Sequence, residues 1–494
     1  MQSKRMIQQA WDSDRERHIF LAYDHNFGGP KTPTQIEKGE TMYTVRRKPT
    51  WEAATLVGLA IFTAPRAAAQ ASAFATLYSF KGGSDGAAPN GVIFGENGAL
   101  YGTTYAGGNQ NGTVFELVPV KGAEWSKTVL FDFNGTDGAA PTPRANLVLR
   151  SNGALYGTTQ AGGSGNNGGT VFELAPPMIA GGVWTETVLY SLPGGDDAPH
   201  FPYGGLLVGP SGALYGTALS NYFNFNLESL AGGTVFTLTP PATPGGSWTA
   251  KTLVSFWPLT AMGNGPEAGV VSTGGSLYGT NANYSVGCGV VYELSPPATE
   301  GGTWTGTAIS TFEGGGCGPV APLTVGPGGV LYGTTYAGGS GTCNFAYGQN
   351  GGCGSVFQLT PPATAGGTWT ETVIYSFTGL NGDGLYPEVG VVLGKNGVLY
   401  GTTTYGGSAT SGSPCINYGI AGAYGPLGCG TVFQLTPPAM PGGAWTEAIL
   451  HSFTGQNGEG SIPGPLTMNA DGVLFGPTFS GGTAGGGTIF AVEP

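Results

Sequence analysis

Apolar residues recur along this chain in short alternating runs, each a handful of residues long and bounded by Gly, Pro, Asn or Ser. That is the pattern of half-buried strands rather than helices. One complete unit can be read over residues 143–192. Ala145, Asn146, Leu147, Val148 and Leu149 end a short apolar strand, a, and Ser151-Asn152-Gly153 supplies turn chemistry. Leu155-Tyr156-Gly157-Thr158-Thr159 forms strand b, rich in aromatic and β-branched residues. A Gly-rich loop leads to Thr170, Val171, Phe172, Glu173 and Leu174, strand c. Pro176-Pro177 and Gly181-Gly182 turn the chain, and Trp184 opens strand d, which runs to Leu192. In strand d, Trp184, Val188 and Tyr190 alternate with Thr185, Thr187 and Ser191, which places the two sets on opposite faces.

The unit recurs. Leu-Tyr-Gly-Thr begins at Leu100, Leu155, Leu214, Leu277, Leu331 and Leu399 and, as Leu-Phe-Gly-Pro, at Leu474. A spacing of roughly 55 to 75 residues suits one four-stranded unit repeated in space. Strand d opens with Trp in six copies, at Trp125, Trp184, Trp248, Trp304, Trp369 and Trp445. In the seventh the chain reaches Gly487-Thr488-Ile489-Phe490 and stops at Pro494 with no strand d. The missing strand is at the other end: residues 74–80 end in Tyr78-Ser79-Phe80, matching Tyr375-Ser376-Phe377, and have no a, b and c before them. Pairing the two ends predicts an all-β, seven-bladed β-propeller of four-stranded antiparallel blades. Closure also removes the sheet edges that an open stack would leave exposed.

Leu-Tyr-Gly-Thr-Thr, Gly-Gly, Gly-Thr-Val-Phe-x-Leu and Trp-Thr, repeated over residues 73–494, resemble the GloVer tandem repeat of exported bacterial proteins. That family is also described as "choice-of-anchor", because members carry varied C-terminal sorting segments. The resemblance implies export and carries no chemistry. Pro494 ends the last repeat without such a tail, which favours a freely released protein. More distantly, the order of strand b, Gly-Gly, strand c, turn and Trp is similar to kelch propeller blades, in architecture only.

Composition narrows the compartment and the partners. Gly (93) and Pro (36) are abundant, but aromatics at 11% in strict register make them punctuation between strands rather than a sign of disorder. Only 9% of residues are charged, and beyond residue 70 there are seven basic against 22 acidic side chains. Such a chain repels nucleic acid and anionic membrane surfaces. At the amino terminus Arg46-Arg47-Lys48 precede an apolar stretch over residues 53–64, then Ala67-Ala68-Ala69 and Gln70-Ala71. This order predicts a signal peptide over 42–71, preceded by a disordered or mis-assigned start at 1–41 and followed by the propeller at 72–494. The apolar run is too short to span a bilayer, and none later is apolar enough. The expected protein is a secreted monomer, extracellular or periplasmic.

Six cysteines agree with export. Cys288, Cys353 and Cys429 share one repeat position, just before the Gly that opens strand c. Cys343 and Cys415 lie upstream in enlarged loops, and Cys317 follows the strand after Cys288. Aligned positions therefore favour Cys288–Cys317, Cys343–Cys353 and Cys415–Cys429 among the roughly 15 connectivities that six cysteines allow. The alternative is free buried thiols. A zinc site is not supported, because no C-x-x-C occurs and histidine is scarce.

In an a-b-c-d blade the b–c and d–a loops emerge on one face. Features found in single blades on that face are candidates for a ligand site. The enlarged b–c loops carry Tyr222, Phe223, Phe225, Phe345, Tyr347, Tyr418 and Tyr424, and a d–a loop carries Trp257. Flat rings beside Asn and Gly suit the stacking of sugar rings or the grip of an extended chain, against the alternative that they pack within their own loops. A carboxylate follows most d strands: Asp85, Asp137, Asp196, Glu313, Asp383 and Glu459, with Glu267 later in its loop. A Ca²⁺-binding ring is one reading. Asp85-Gly86, Asp137-Gly138 and Asp383-Gly384 are ordinary turn dipeptides, which favours the other.

Catalytic patterns are sparse. His200 follows Asp196-Asp197 in a d–a loop and reads as solvated, and His451 replaces the Tyr of Tyr-Ser-Phe and reads as a strand residue. The Gly-x-Ser-x-Gly pattern around Ser340 breaks at Thr342, and no Gly-Lys-Ser/Thr follows the Gly-rich strings. The expectation is a non-catalytic binding propeller without a cofactor, presenting its face to an extracellular polysaccharide or a surface protein. The alternatives are a carbohydrate-active hydrolase or lyase using rim carboxylates, and a structural matrix component.

Overall fold

The computed structural model describes residues 73–494 apart from 122–124, 144, 180, 195–199, 221–231, 244, 257–260, 283–287, 300, 313–315, 344–350, 365, 409–414 and 416–427. The expected start (1–41) and signal peptide (42–71) lie outside these residues. The chain forms seven four-stranded antiparallel blades arranged as a β-propeller. Blade 5 is typical: strands a (Thr324–Val325), b (Leu331–Thr335), c (Ser355–Thr360) and d (Thr370–Ser376) pair in that order. Blade 7 takes a, b and c from the carboxy-terminal end, with c at Thr488–Val492, and d from Phe74–Ser79. The closing strands are antiparallel, with Phe74 opposite Val492 and Ser79 opposite Thr488.

The repeated words are packing instructions. The Gly of Leu-Tyr-Gly-Thr lies directly across the ladder from the aromatic residue of strand c in all seven blades, from Gly102 opposite Phe115 to Gly476 opposite Phe490. A Cβ on Gly333 would stand 2.4 Å from the Phe357 ring, so the missing side chain is the space the ring occupies. These rings are buried, and six of the seven meet a ring from the preceding blade. Phe133 and Phe172 are edge to face at 5.1 Å, as are Phe377 and Phe433. In the seam between blades 2 and 3 Leu192 takes the place of the outer ring, in one cluster with Phe236. Farther out, the Trp of strand d packs on the Tyr of strand b in the blade before, as Trp369 does on Tyr278 at 5.6 Å.

A further contact locks the seams nearer the axis. The Gly that opens strand c approaches a Pro of the next blade so closely that a Cβ on Gly289 would lie 2.3 Å from Pro319 Cδ. The residue before that Pro holds a left-handed φ of 50–58° even where it is Ala88, Ala140, Phe201, Tyr386 or Ile462. Such backbone is costly for a β-branched or bulky residue. Here it turns the N–H back to the preceding blade: Tyr386 N donates to Cys353 O at 2.8 Å, and Ile462 N to Cys429 O at 3.0 Å.

All these contacts recur between blades 7 and 1. Phe80 meets Phe115 at 5.1 Å, Trp125 meets Phe475 at 6.4 Å, and Ala88 N donates to Gly486 O at 2.8 Å. The seam between blades 7 and 1 is therefore built like the others.

Two local expectations are corrected. Strand a of blade 2, read over 143–149, is confined there to Val148–Leu149, and a separate stretch, Ala139–Pro141, also pairs with strand b. Pro141 and Pro143 have no N–H to carry the ladder between. The regular alternation of strand d is broken by a register shift between Val188 and Tyr190, and every d strand carries the equivalent bulge. An extra residue there turns the remainder of the strand over.

Candidate functional site

Immediately after the interlocking Pro, the a segments of the seven blades present residues that differ from blade to blade: Asn90, Thr142, Tyr203, Glu267, Val320, Glu388 and Gly464. The a segments of all seven blades contribute to the walls of two adjoining cavities, which places these segments around the propeller axis. The larger cavity, about 310 Å³, is walled by Asn90, Tyr203, Glu388, Thr404, Tyr405 and Phe479 together with prolines and backbone of the a strands. The smaller, about 40 Å³, shares Tyr203 and Glu388 and adds Glu267 and Val320. Thr404, Tyr405 and Phe479 lie at the ends of b strands, and the Pro positions pair with those ends, as Pro463 does with Thr478. The larger cavity therefore lies at the end of the axis where the b–c and d–a loops emerge.

The walls are held from behind. Thr404 N donates to Tyr386 O at 3.1 Å, and Thr404 Oγ1 donates to Glu388 Oε2 at 2.9 Å. Tyr386, buried behind the site, meets Tyr405 edge-on at 6.2 Å and Tyr336 at 5.2 Å, which backs the Tyr405 ring. Burial pushes the Tyr386 hydroxyl above its usual range, and the neighbouring Tyr405 adds to that. Asn90 Nδ2 donates to Thr103 Oγ1 at 2.9 Å and to Pro141 O at 3.0 Å, bridging blades 1 and 2. Phe479 stands 44% exposed at the mouth. Aromatic faces beside hydrogen-bonding groups, in a concave site at the fold's symmetry axis, are the make-up of a small-molecule pocket.

Of the sequence-based candidates, Glu267 lies on the wall of the smaller cavity. Tyr222, Phe223, Phe225, Trp257, Phe345, Tyr347, Tyr418 and Tyr424 lie outside the described residues, as do Asp196 and Glu313. Four of the other loop carboxylates cap their own turns. Asp85 accepts from Lys81 N at 2.8 Å, Asp137 from Asn134 N at 2.9 Å, Asp383 from Thr378 N at 2.7 Å and Glu459 from Thr454 N at 3.0 Å. Among the described residues no three His, Cys, Asp or Glu side chains converge as a metal site would need.

His200 is buried at the start of a strand, edge-on to Phe201 at 4.5 Å, rather than solvated in a loop, because it pairs with Leu219 at the end of strand b. His451 is a strand residue stacked on Phe74 at 3.7 Å, and burial pushes its pKa down to about 4. The cysteines form Cys288–Cys317, Cys343–Cys353 and Cys415–Cys429. The first joins the b–c loop of blade 4 to strand a of blade 5.

Reading the sequence alone passed over Asn90, Tyr203, Glu388, Tyr405 and Phe479. The available signal was a constant Pro followed by a variable residue, which is a fixed scaffold position presenting changing chemistry.

Fold and site together define a disulfide-braced seven-bladed propeller with a pocket on its axis. The chain belongs to the Gloeobacter/Verrucomicrobia repeat family, whose model matches residues 60–220 and 180–414. No curated protein matches the chain. Among solved structures it is similar to a protein of unknown function from Dyadobacter fermentans, with 11% identity, 85% of this chain and 96% of that one covered, and a TM-score of 0.39. It is also similar to a putative oxidoreductase (glucose dehydrogenase) from Thermus thermophilus, with 14% identity, coverage of 85% and 100%, and a TM-score of 0.38. A Hadza microbial sialidase aligns at 14% identity, with coverage of 80% and 73% and a TM-score of 0.37. At these scores the likenesses carry no argument about function.

Proposed function

We propose that this is a secreted, monomeric binding propeller that holds an extracellular glycan at the axial cavity without turning it over. The observation that carries the reading is a cavity of about 310 Å³ with unlike walls, placed where the blades otherwise repeat. A pocket serving only to close the ring has no need of different chemistry in each blade. The three disulfides fit an oxidising compartment, and among the described residues no helix is long and apolar enough to cross a membrane. The loop aromatics Tyr222, Phe223, Phe225, Trp257, Phe345, Tyr347, Tyr418 and Tyr424 would extend the site outward on the same face.

A second reading has its own support. Glu267 and Glu388 both line the smaller cavity, and two carboxylates are the equipment of a glycosidase. Glycan-array binding with no new reducing ends or unsaturated products, and loss of that binding in Tyr405→Ala, supports the binding protein. Product release abolished by Glu267→Gln or Glu388→Gln would establish the enzyme instead. A surface protein or a matrix assembly as the partner would appear as array silence with capture of that partner.

A further inference from the structure

Resting on the glycan-binding reading, the polar inventory of the axial cavity narrows which part of a glycan it takes. Asn90 is only 3% exposed and spends its amide hydrogens on Thr103 Oγ1 and Pro141 O, which leaves Oδ1 without a partner in the protein. That oxygen is itself buried, so Asn90 fixes the wall between blades 1 and 2 rather than presenting an acceptor to the ligand. Glu388 adds a carboxylate, one of whose oxygens already accepts from Thr404. Tyr405 and Phe479 provide ring faces, and Glu267 brings a second carboxylate to the walls. A matching ligand brings hydroxyl or amine donors and a flat apolar face, without negative charge.

Size sets the other limit. Small-molecule sites run from about 300 to 1,000 Å³, and this cavity lies at the lower end. It has room for a ring or two and none for a length of polymer threaded through.

We infer that the axial cavity receives the terminal, non-anionic sugar unit of a glycan, whose hydroxyls donate to the Glu388 carboxylate, and that it rejects uronic and sialic acid ends. An anion would need a cation at the wall. The nearest in sequence is Arg144, which follows Pro143 and lies outside the described residues.

The test is calorimetric titration of the full mature chain with linear neutral glucan, mannan and galactan oligosaccharides. Cyclised glucans, a chitosan oligomer, an oligogalacturonate and a sialyl-oligosaccharide complete the panel. A linear neutral or amino-bearing member should bind, its cyclic counterpart should not, and the anionic members should bind at least about tenfold more weakly. Glu388→Gln and Phe479→Ala should each lower affinity about tenfold while the unfolding temperature holds, since Phe479 sits at the surface. Equal binding of cyclic and linear glucans, or unchanged affinity in both variants, would overturn the inference. So would preference for anionic ends, lost on Arg144→Ala. In each of those cases glycan binding itself still stands. Silence across the whole panel removes the glycan-binding reading as well.

Discussion

At the scale of single residues, one position in strand d shows how a repeat tunes its seams. In blade 1 it is Lys127, whose ammonium lies 3.2 Å from Asp85 Oδ1. In blades 2 and 6 the same position is Glu186 and Glu447, and each faces the carboxylate of a d–a turn, Asp137 and Asp383 respectively. Burial, and then that neighbouring charge, push both up to about 7 from an ordinary 4.5. A carboxyl group with a raised folded-state pKa stabilises fully below its unfolded value, and that stability is lost as pH rises through the folded value. The unfolding temperature should therefore fall between about pH 4.5 and 7 on account of these two groups. His451 acts in the opposite sense: its depressed pKa contributes stability above about 6.5 that is lost as pH falls through about 4. Replacing Glu186 and Glu447 together with Gln should flatten the upper slope, read as the difference between variant and wild-type unfolding temperatures across pH 5 to 8. Parallel curves would refute the assignment. Gly333 offers a steric counterpart. Gly333→Ala should cost about 1–3 kcal/mol by pressing on the Phe357 ring, and Gly333→Ala with Phe357→Leu should recover part of that loss in thermal melts.

At the scale of elements, the words that identify the repeat are contacts between strands and between blades. Gly faces Phe across the b–c ladder, Trp covers the Tyr of the blade before, and Gly meets Pro at the inner seam. That is why strand identity, blade number and cysteine pairing could be read from spacing: each depends on residues that recur in register. The bulge in strand d and the break in strand a were not legible, because alternation alone does not show where a ladder slips. The axial site was harder still. Its residues are marked by variation at one position of the repeat, whereas the search for chemistry went to the longest loops. The loop carboxylates resembled a ligand ring, yet Asp85, Asp137, Asp383 and Glu459 bond to backbone N–H groups of their own turns, and Glu267 alone of the described ones lines the axis. Cys288–Cys317 carries an element-scale prediction, since it alone of the three bonds ties one blade to the next. Its 29-residue span makes its loss worth roughly 3–4 kcal/mol on chain-entropy grounds. The Cys288→Ser/Cys317→Ser double variant should melt at lower temperature than either double variant of the 10- and 14-residue loops. Equal losses in calorimetry would show that crossing the seam adds nothing.

At the scale of the whole molecule, blade 7 is assembled from the two ends of the repeat region, and its seam with blade 1 repeats the contacts of the others. Phe74–Ser79 lies antiparallel on Thr488–Val492, and Glu493 N donates to Ala73 O at 3.0 Å. The two ends can therefore be joined by a turn like any c–d turn. A circular permutant that links Pro494 to Ala73 and opens between c and d of blade 2, at the exposed Met178 and Ile179, should give the same circular dichroism spectrum and a similar melting temperature. Removing residues 73–80 should instead expose the Thr488–Val492 edge and drive association, seen by sedimentation. A permutant that fails to fold while the truncated chain stays monomeric would contradict this view of closure. A closed ring also brings the seven a strands to one axis, so that single substitutions in separate blades converge on one cavity.

The most direct test of that convergence is an experimental structure of the mature chain soaked with the linear oligosaccharide it binds. Sugar density against Glu388, Tyr405 and Phe479 is the predicted result. Density confined to the outer loop aromatics around Tyr222, Phe223 and Trp257, with the axis filled by water alone, would contradict the axial assignment.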